Sequence, residues 1–318
     1  MTDDRQRFDL GRARVCVVMN RGSGKKKHRE LHDTLERRLR PACGSLEIRE
    51  SRKGSDLPRL AKQVAGEGFD LVIAAGGDGT QSAVAGALTG TDVIMGILPG
   101  GTFNYFARDM GVGEEIDPAL DTILDARVEP VDVGDINGLI FLNNVSLGAY
   151  PQILNTREGI YRRWGRSRIA AYWSVLVALP RLRRPMRLVT RAEGRERTHT
   201  SALVFVARSA YQLESFGLAG ARDIRRGEFA VLIAKARQPL PLMRSALRLA
   251  MGKSAKDDDF EMIVTDDLQI ETPKSRQLVA HDGEKTTLDC PFRLVVRHDG
   301  LRVLLPADGV SKTERPEG

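Results

Sequence analysis

The 318-residue sequence predicts an α/β protein in two parts: a domain with a parallel sheet flanked by helices, then a second, mostly antiparallel domain. Three observations carry that reading. Short apolar runs alternate with segments of helical period from Arg14 to about Val133. The texture then changes to strand-like runs broken by turn residues. Glycine-rich turns stand where apolar runs of the first part hand over to helical segments.

Taken in order, "RVCVVMN" reads as a strand and "RELHDTLERRLRP" as a helix stopped by Pro41. "LEIRES" follows as a strand, "DLPRLAKQVAGEG" as a helix, "FDLVIAAG" as a strand, "SAVAGALTG" as a helix and "VIMGILPGG" as a strand. Continuous apolar runs of this kind suit strands covered on both faces, the βαβ arrangement of a parallel sheet. After "VEPVDVGDINGLIFLNNVSLG" come "RLVTRA", "SALVFVARS", "EFAVLIAKA", "FEMIVTDDLQIETP", "RQLVAHDG" and "FRLVVRHDGLRVLLP". Helical segments in this part are expected only near Arg168–Leu182 and Leu240–Gly252. The expected domains are 12–134 and 135–310, with the change falling between Val133 and Asn137 and the last strand free to return to the first domain. Residues 1–11 and 311–318 read as flexible tails.

Composition narrows the function classes. With 42% hydrophobic and 29% charged residues the chain has a globular composition, and 49 Lys and Arg against 42 Asp and Glu leave a charge of +7. An anionic partner is expected: nucleic acid, a phosphate-rich metabolite or an acidic lipid surface. Aromatic residues make up 5% of the chain and no RRM, KH or helix-turn-helix signature occurs, which disfavours a specific nucleic-acid module. Cys16, Cys43 and Cys290 are odd in number and lack metal-type spacing, so a reducing cytoplasm fits best. The polar amino terminus lacks a signal-peptide core, and the longest apolar run, "IAAYWSVLVALP", is shorter than the roughly 20 residues a spanning helix needs. Membrane contact is therefore expected to be peripheral.

The chemistry begins at "LVIAAGGDGTQSAVAGAL". Successive glycines between a strand and a helix let backbone N–H groups converge on one anion, and the helix N-terminus adds partial positive charge. A ligand-free tight turn is the plainer alternative. Asp78 weighs against it, since a carboxylate in such a cradle makes sense with an intervening divalent cation or ordered donor. Other phosphate motifs fit poorly: "GSGKKK" lacks P-loop spacing, and Ser82 stands where the dinucleotide fingerprint wants its third glycine.

A second glycine turn follows one βα unit on, in "ILPGGTFNYFARDMG". Together with "AAGGDGT" and with "MNRGSGKKK" after the first strand, it makes the chain resemble the diacylglycerol kinase catalytic family, which includes sphingosine, ceramide and bacterial lipid kinases. A weaker likeness continues through "VDVGDINGLIFLNNVSLG", "HDGEK" and "LRVLLP". The resemblance implies a nucleotide-binding α/β domain and a β-sandwich-like domain with the active site in the cleft between them, and ATP and Mg²⁺ as cofactors. On the family pattern Asn20, Ser23 and Gly24 lie near the ATP phosphates and Ser51 takes the place of a Thr. Gly76, Gly77, Asp78, Gly79, Thr80, Gln81 and Ser82 wrap the phosphates, and Thr102 contacts the nucleotide. Asp282 and Glu284 match the acidic pair, one of them the general base, while Asp78 and Asp132 are the candidates for the metal network. An ordinary Asp-Gly hairpin turn is the alternative for "HDGE".

Departures from the pattern are also present. Gln81 and Ser82 follow GGDGT where Asn-Glu is usual, and Tyr105 replaces an Asp. In "ARDIRRGEF", Arg226 stands where bacterial lipid kinases carry an acidic ligand of a structural Mg²⁺, between Asp223 and Glu228. A guanidinium cannot ligate a cation. That site is therefore expected to be absent or replaced by an Arg-carboxylate pair. Between Arg157 and Arg197 twelve arginines face three glutamates, with Tyr161, Trp164, Tyr172 and Trp173 among them. This composition suits an anionic bilayer interface, and equally a solvated arginine-rich surface around one core helix.

The resulting expectation is an ATP-dependent lipid kinase acting on diacylglycerol or a related lipid, cytoplasmic, with peripheral contact at the inner face of the membrane. The rivals are a catalytically silent nucleotide- or lipid-binding protein of the same fold and a soluble-substrate kinase resembling NAD kinase. The oligomeric state, a homodimer included, is left open by the sequence.

Overall fold

A computed structural model describes residues 8–20, 25–51, 53–125, 127–148, 185–235 and 260–306. The chain divides into two compact units, one comprising Met1–Val133 and Arg297–Ser311, the other Gly134–Val296 and Lys312–Gly318.

In the first unit the parallel strands are β1 (Arg14–Asn20), β2 (Ser45–Ser51), β3 (Leu71–Gly76), β4 (Ile94–Pro99) and the carboxyl half of the long strand β16 (Phe292–Leu305). Their order is β2-β1-β3-β4-β16. Val15 to Met19, Leu71 to Ala75 and Ile94 to Pro99 are all buried, as continuous apolar runs require when both faces of a sheet are covered. The covering helices include α1 (Lys25–Arg38), α2 (Leu57–Ala65), α3 (Asp78–Leu88) and α5 (Ile116–Leu124), with a short α4 (Tyr105–Asp109) between the last two. Helix α2 buries Leu57, Ala61 and Val64, one stripe at helical spacing. Strand β5 (Arg127–Ile136) runs from the first unit into the second.

The second unit is a β-sandwich. One sheet has the antiparallel order β12-β11-β10-β7-β14-β15, built from β7 (Asn144–Gly148), β10 (Leu203–Ala207), β11 (Phe229–Ala234), β12 (Phe260–Thr265), β14 (Arg276–His281) and β15 (Glu284–Asp289). The other places the amino half of β16 beside β13 (Asp267–Glu271), β8 (Met186–Ala192) and β9 (Arg195–Ser201). A short β6 (Leu139–Phe141) pairs with β5. Alternate residues of both sheets form one core that includes Phe141, Val145, Leu188, Val206, Phe229, Leu268, Val279 and Phe292. Phe141 and Phe229 stack within it, centroids 5.8 Å apart.

The structure adds elements that periodicity did not reveal. Strand β9, "RERTHTS", is an edge strand whose charged residues face solvent, so it lacks the apolar alternation used to recognise strands. The second unit also holds two short helices, α6 (Ala210–Ser215) and α7 (Ala221–Arg225), beyond the helical segments expected near Arg168–Leu182 and Leu240–Gly252. Those two segments lie outside the described residues, as do Tyr161, Trp164, Tyr172, Trp173 and the arginines from Arg157 to Arg184. Helices α6 and α7 span about one turn each, too short to display a 3.6-residue pattern.

Phe229 is fully buried against Phe141. Phe229→Ala is expected to lower stability by about 3–5 kcal/mol, the usual cost of deleting a core aromatic. Urea denaturation of the variant measures it directly.

Candidate nucleotide and acid sites

The parallel register places the carboxyl ends of β1 to β4 at one edge of their sheet. Asn20 pairs with Ser51, Met19 with Ala75, and Gly76 with Pro99, so Asn20, Ser51, Gly76 and the turn after Pro99 stand level with one another. In the order β2-β1-β3-β4 the chain reverses direction across the sheet between β1 and β3, the place where open parallel sheets bind ligands. Asn20 and Gly76 flank that point. Ser51 is buried, and its hydroxyl donates to the Lys53 carbonyl at 2.6 Å. Ser23 and Gly24 lie outside the described residues.

Two glycine turns meet at this edge, backbone against backbone. The Gly100 amide donates to the Gly76 carbonyl at 3.0 Å. A Cβ on Gly101 would lie 2.6 Å from the Gly77 Cα, and one on Gly77 would lie 2.9 Å from the Gly101 Cα. Neither position has room for a side chain. Asn104, in the left-handed region with φ of 50°, locks the second turn: its Oδ1 accepts the Gly101 amide at 2.8 Å and its Nδ2 donates to the Gly101 carbonyl at 3.3 Å. The Phe106 amide donates to Asp78 Oδ1 at 3.4 Å and ties the two turns together again.

Gly77 caps α3, and Asp78 and Gly79 form its first turn. The Thr80 and Gln81 amides both donate to the Gly77 carbonyl, at 2.8 and 3.1 Å, and the helix dipole makes this end positive. The turn can therefore hold an anion such as phosphate. Thr80, Gln81 and Ser82 are buried at its base rather than displayed on it. Gln81 Nε2 donates to the Gly76 carbonyl at 3.1 Å, bracing the turn from beneath. Thr102 is exposed.

Asp132 has a different setting. Its side chain is buried on β5, Oδ1 accepting the Asp299 amide at 2.9 Å and Oδ2 lying 3.4 Å from His298 Nδ1. It thus joins β5 to β16 within the first unit. Among the described residues no three or more His, Cys, Asp or Glu side chains gather as a metal site.

The second unit contains the acid hairpin. Between β14 and β15 stands a two-residue turn, Asp282 and Gly283, with φ of 45° and 85°. Both values are positive, as a type I′ turn demands, and Asp-Gly supplies them at low cost. The Asp282 carboxylate is buried and accepts three amides: Leu142 at 2.7 Å, Asn143 at 2.7 Å and Asn144 at 3.1 Å. Its own amide donates to the Asn144 carbonyl. Glu284 is exposed. The two acids that the sequence left equivalent thus differ in access. Asn144 and Gln212 complete the anchorage, Nδ2 to Oε1 at 2.9 Å, a contact that sequence could not reveal because Gln212 lies on the unrecognised helix α6.

Around α7, Arg226 is exposed and Glu228 half-buried. Burial pushes the Glu228 carboxyl above its ordinary range, Asp223, Asp266 and Glu193 add to the rise, and Arg226 opposes it. The Arg226 guanidinium supplies no ligand atom for a divalent cation.

The fold is an α/β domain with a largely parallel sheet and paired glycine turns at its carboxyl edge, together with a β-sandwich. Residues 14–136 match the model of the diacylglycerol kinase catalytic domain family. The chain is 26% identical over 306 residues to the diacylglycerol kinase of Bacillus subtilis (strain 168), covering 93% of this chain and 97% of that protein. It is 34% identical over 140 residues to the diacylglycerol kinase of Mycobacterium tuberculosis (strain CDC 1551 / Oshkosh), covering 42% and 45%. A crystal structure of a diacylglycerol kinase from Bacillus anthracis str. Sterne superposes with a TM-score of 0.71 at 21% identity, covering 93% of this chain and 98% of that one. That last likeness establishes the shared fold.

Two outcomes follow from the geometry. Gly101→Ala must push the turns apart, because its Cβ meets backbone, and is expected to weaken ATP binding by at least about 1 kcal/mol in calorimetric titration. Glu228 has a raised folded-state value, so its ionisation opposes folding, and stability is lost as pH rises from the ordinary carboxyl value through the folded one. Glu228→Gln should therefore raise the melting temperature at pH 7, and the gain should vanish below about pH 4.5, where the group is protonated in both states. Added Mg²⁺ should leave that gain unchanged.

Proposed function

We propose that the protein is a lipid kinase that transfers the γ-phosphoryl group of ATP to a hydroxyl of diacylglycerol or a related membrane lipid. The observation that carries this reading is the pair of glycine turns packed at the carboxyl edge of the parallel sheet, in a segment that matches the model of the diacylglycerol kinase catalytic domain family. Amides of the GGDG turn and the N-terminus of α3 hold the phosphates. Asn20, Ser51 and Thr102 border them. Phosphoryl transfer depends on positioning and charge stabilisation more than on covalent chemistry, and a rigid cradle of backbone dipoles supplies both.

When bound with ATP, Mg²⁺ neutralises charge on the phosphates. Asp78 stands in the cradle and is the carboxylate suited to hold it. In the second unit the acids divide their work. Asp282 spends its oxygens on three amides and acts as a buried scaffold, while exposed Glu284 accepts the proton of the acceptor hydroxyl. The arginine-rich stretch draws the protein to an anionic membrane surface, with each basic residue near the surface contributing about 1 kcal/mol.

The silent-protein reading draws on Gln81, Ser82, Tyr105 and Arg226. ATP turnover with a panel of diacylglycerol, long-chain base and NAD separates the possibilities: phosphorylated lipid is expected, and no product from any acceptor would overturn the proposal. Flotation with anionic and neutral liposomes tests the membrane contact, with preference for anionic vesicles expected. Glu284→Gln should lower kcat by about 10²–10⁴ with ATP KM unchanged and no change in melting temperature. Asp282→Asn should instead cost about 1–3 kcal/mol of stability, since it sets an amide N–H₂ group against three backbone donors.

A further inference from the structure

His281 closes the acid hairpin. It is the last residue of β14 and pairs in register with Glu284, the first residue of β15. Directly opposed residues of an antiparallel pair project from the same face, with Cβ atoms about 4.5–5.5 Å apart. Imidazole and carboxylate are therefore neighbours at the end of the hairpin. On the other side His281 pairs with Val145 of β7, which lies in the sandwich core. The ring thus has an apolar neighbour on one strand and an exposed acid on the other.

The two ring nitrogens differ. Nδ1 is enclosed and has no hydrogen-bond partner. An unpaired buried N–H is rarer than an under-used buried acceptor. The proton of the neutral ring is accordingly placed on Nε2. Burial holds the imidazole below its ordinary basicity, and the two charges that act on it, Asp282 and Glu284, pull the other way without prevailing. Asp282 is the less available of the two acids, because its buried carboxylate already accepts the amides of Leu142, Asn143 and Asn144. Glu284 is the carboxylate that remains.

We propose that His281 is a positioning residue for Glu284: a neutral imidazole whose Nε2–H donates to the Glu284 carboxylate and fixes the orientation in which that group meets an acceptor hydroxyl. This rests on the assignment of Glu284 as the base. A neutral donor suits the task better than a charged one. An imidazolium would form a strong ion pair and draw proton affinity from the base, whereas a neutral N–H orients the carboxylate and leaves most of that affinity intact.

The test has two arms. In the first, the protein labelled with ¹⁵N-histidine is titrated by NMR, His281 being assigned from the spectrum of His281→Leu. The ring is expected to stay neutral, with the proton on Nε2, over the pH range in which exposed histidines protonate, and Glu284→Gln is expected to shift its nitrogen resonances. In the second, His281→Leu is expected to lower kcat about 10- to 100-fold with ATP KM unchanged, and His281→Gln, whose amide N–H₂ takes the place of Nε2–H, to recover part of that loss. A ring that protonates with the exposed histidines, resonances indifferent to Glu284→Gln, or a leucine variant with full turnover would each overturn the proposal. Should the wild-type protein phosphorylate no lipid at all, the kinase reading fails, and the NMR arm alone decides whether His281 and Glu284 form the pair.

Discussion

The first unit depends on a contact between two backbones that no side chain could make. With a Cβ on Gly101 only 2.6 Å from the Gly77 Cα, β3 and β4 can end in turns that touch only if both positions are glycine. That contact fixes where α3 begins and so where its positive end lies. The Asn104 side chain then locks the second turn, and the Phe106 amide ties it to Asp78 of the first. An arrangement secured this way is pre-organised, which matters for an anion site because dipoles already aimed at the ligand need no reorganisation when charge arrives.

In the second unit the equivalent constraint is a buried charge. An isolated carboxylate removed from water carries a large penalty unless its oxygens are satisfied. Asp282 meets the requirement with three successive amides of the Leu142 to Asn144 segment, so one side chain determines how the β6–β7 connection lies beside the hairpin. The positive φ of Asp282 is part of the same solution, since the type I′ turn sets its Cα where the carboxylate meets that segment. The acid that reads from sequence as half of a catalytic pair is thus spent on architecture, and its neighbour is left with a free face.

Much of the fold was legible because its strands are fully buried. The runs from Val15 to Met19 and at Leu71–Gly76 and Ile94–Pro99 carry no polar interruptions, and a glycine and a proline close the second and third. What escaped detection follows from the same physics. Strand β9 buries His199 and Ser201, residues without apolar character, and α6 and α7 are too short for a period. The site was partly legible: the residues alone marked the first glycine turn, whereas the second turn and the acid hairpin were singled out by the family resemblance. The division between Asp282 and Glu284 was not, because it depends on amides about 140 residues away in the chain. Nor could sequence show that Thr80, Gln81 and Ser82 would turn inward.

That inward turn bears on how the departures from the family pattern are weighed. A substitution in a phosphate-binding motif argues for lost function only if the changed side chain is one that meets the ligand. Gln81 and Ser82 are buried under the turn, and Gln81 stabilises it through the Gly76 carbonyl. Tyr105 stacks on Phe103 with ring centroids 5.4 Å apart and planes within 2° of parallel, a packing role an aspartate could not fill. Arg226 lies in the second unit, where its charge partly offsets the rise that burial, Asp223, Asp266 and Glu193 impose on half-buried Glu228. Gln81 and Tyr105 thus have structural uses in this chain, while the glycines of the paired turns and the exposed acid of the hairpin are retained. The departures therefore weigh less against catalysis than their position in the motifs implies.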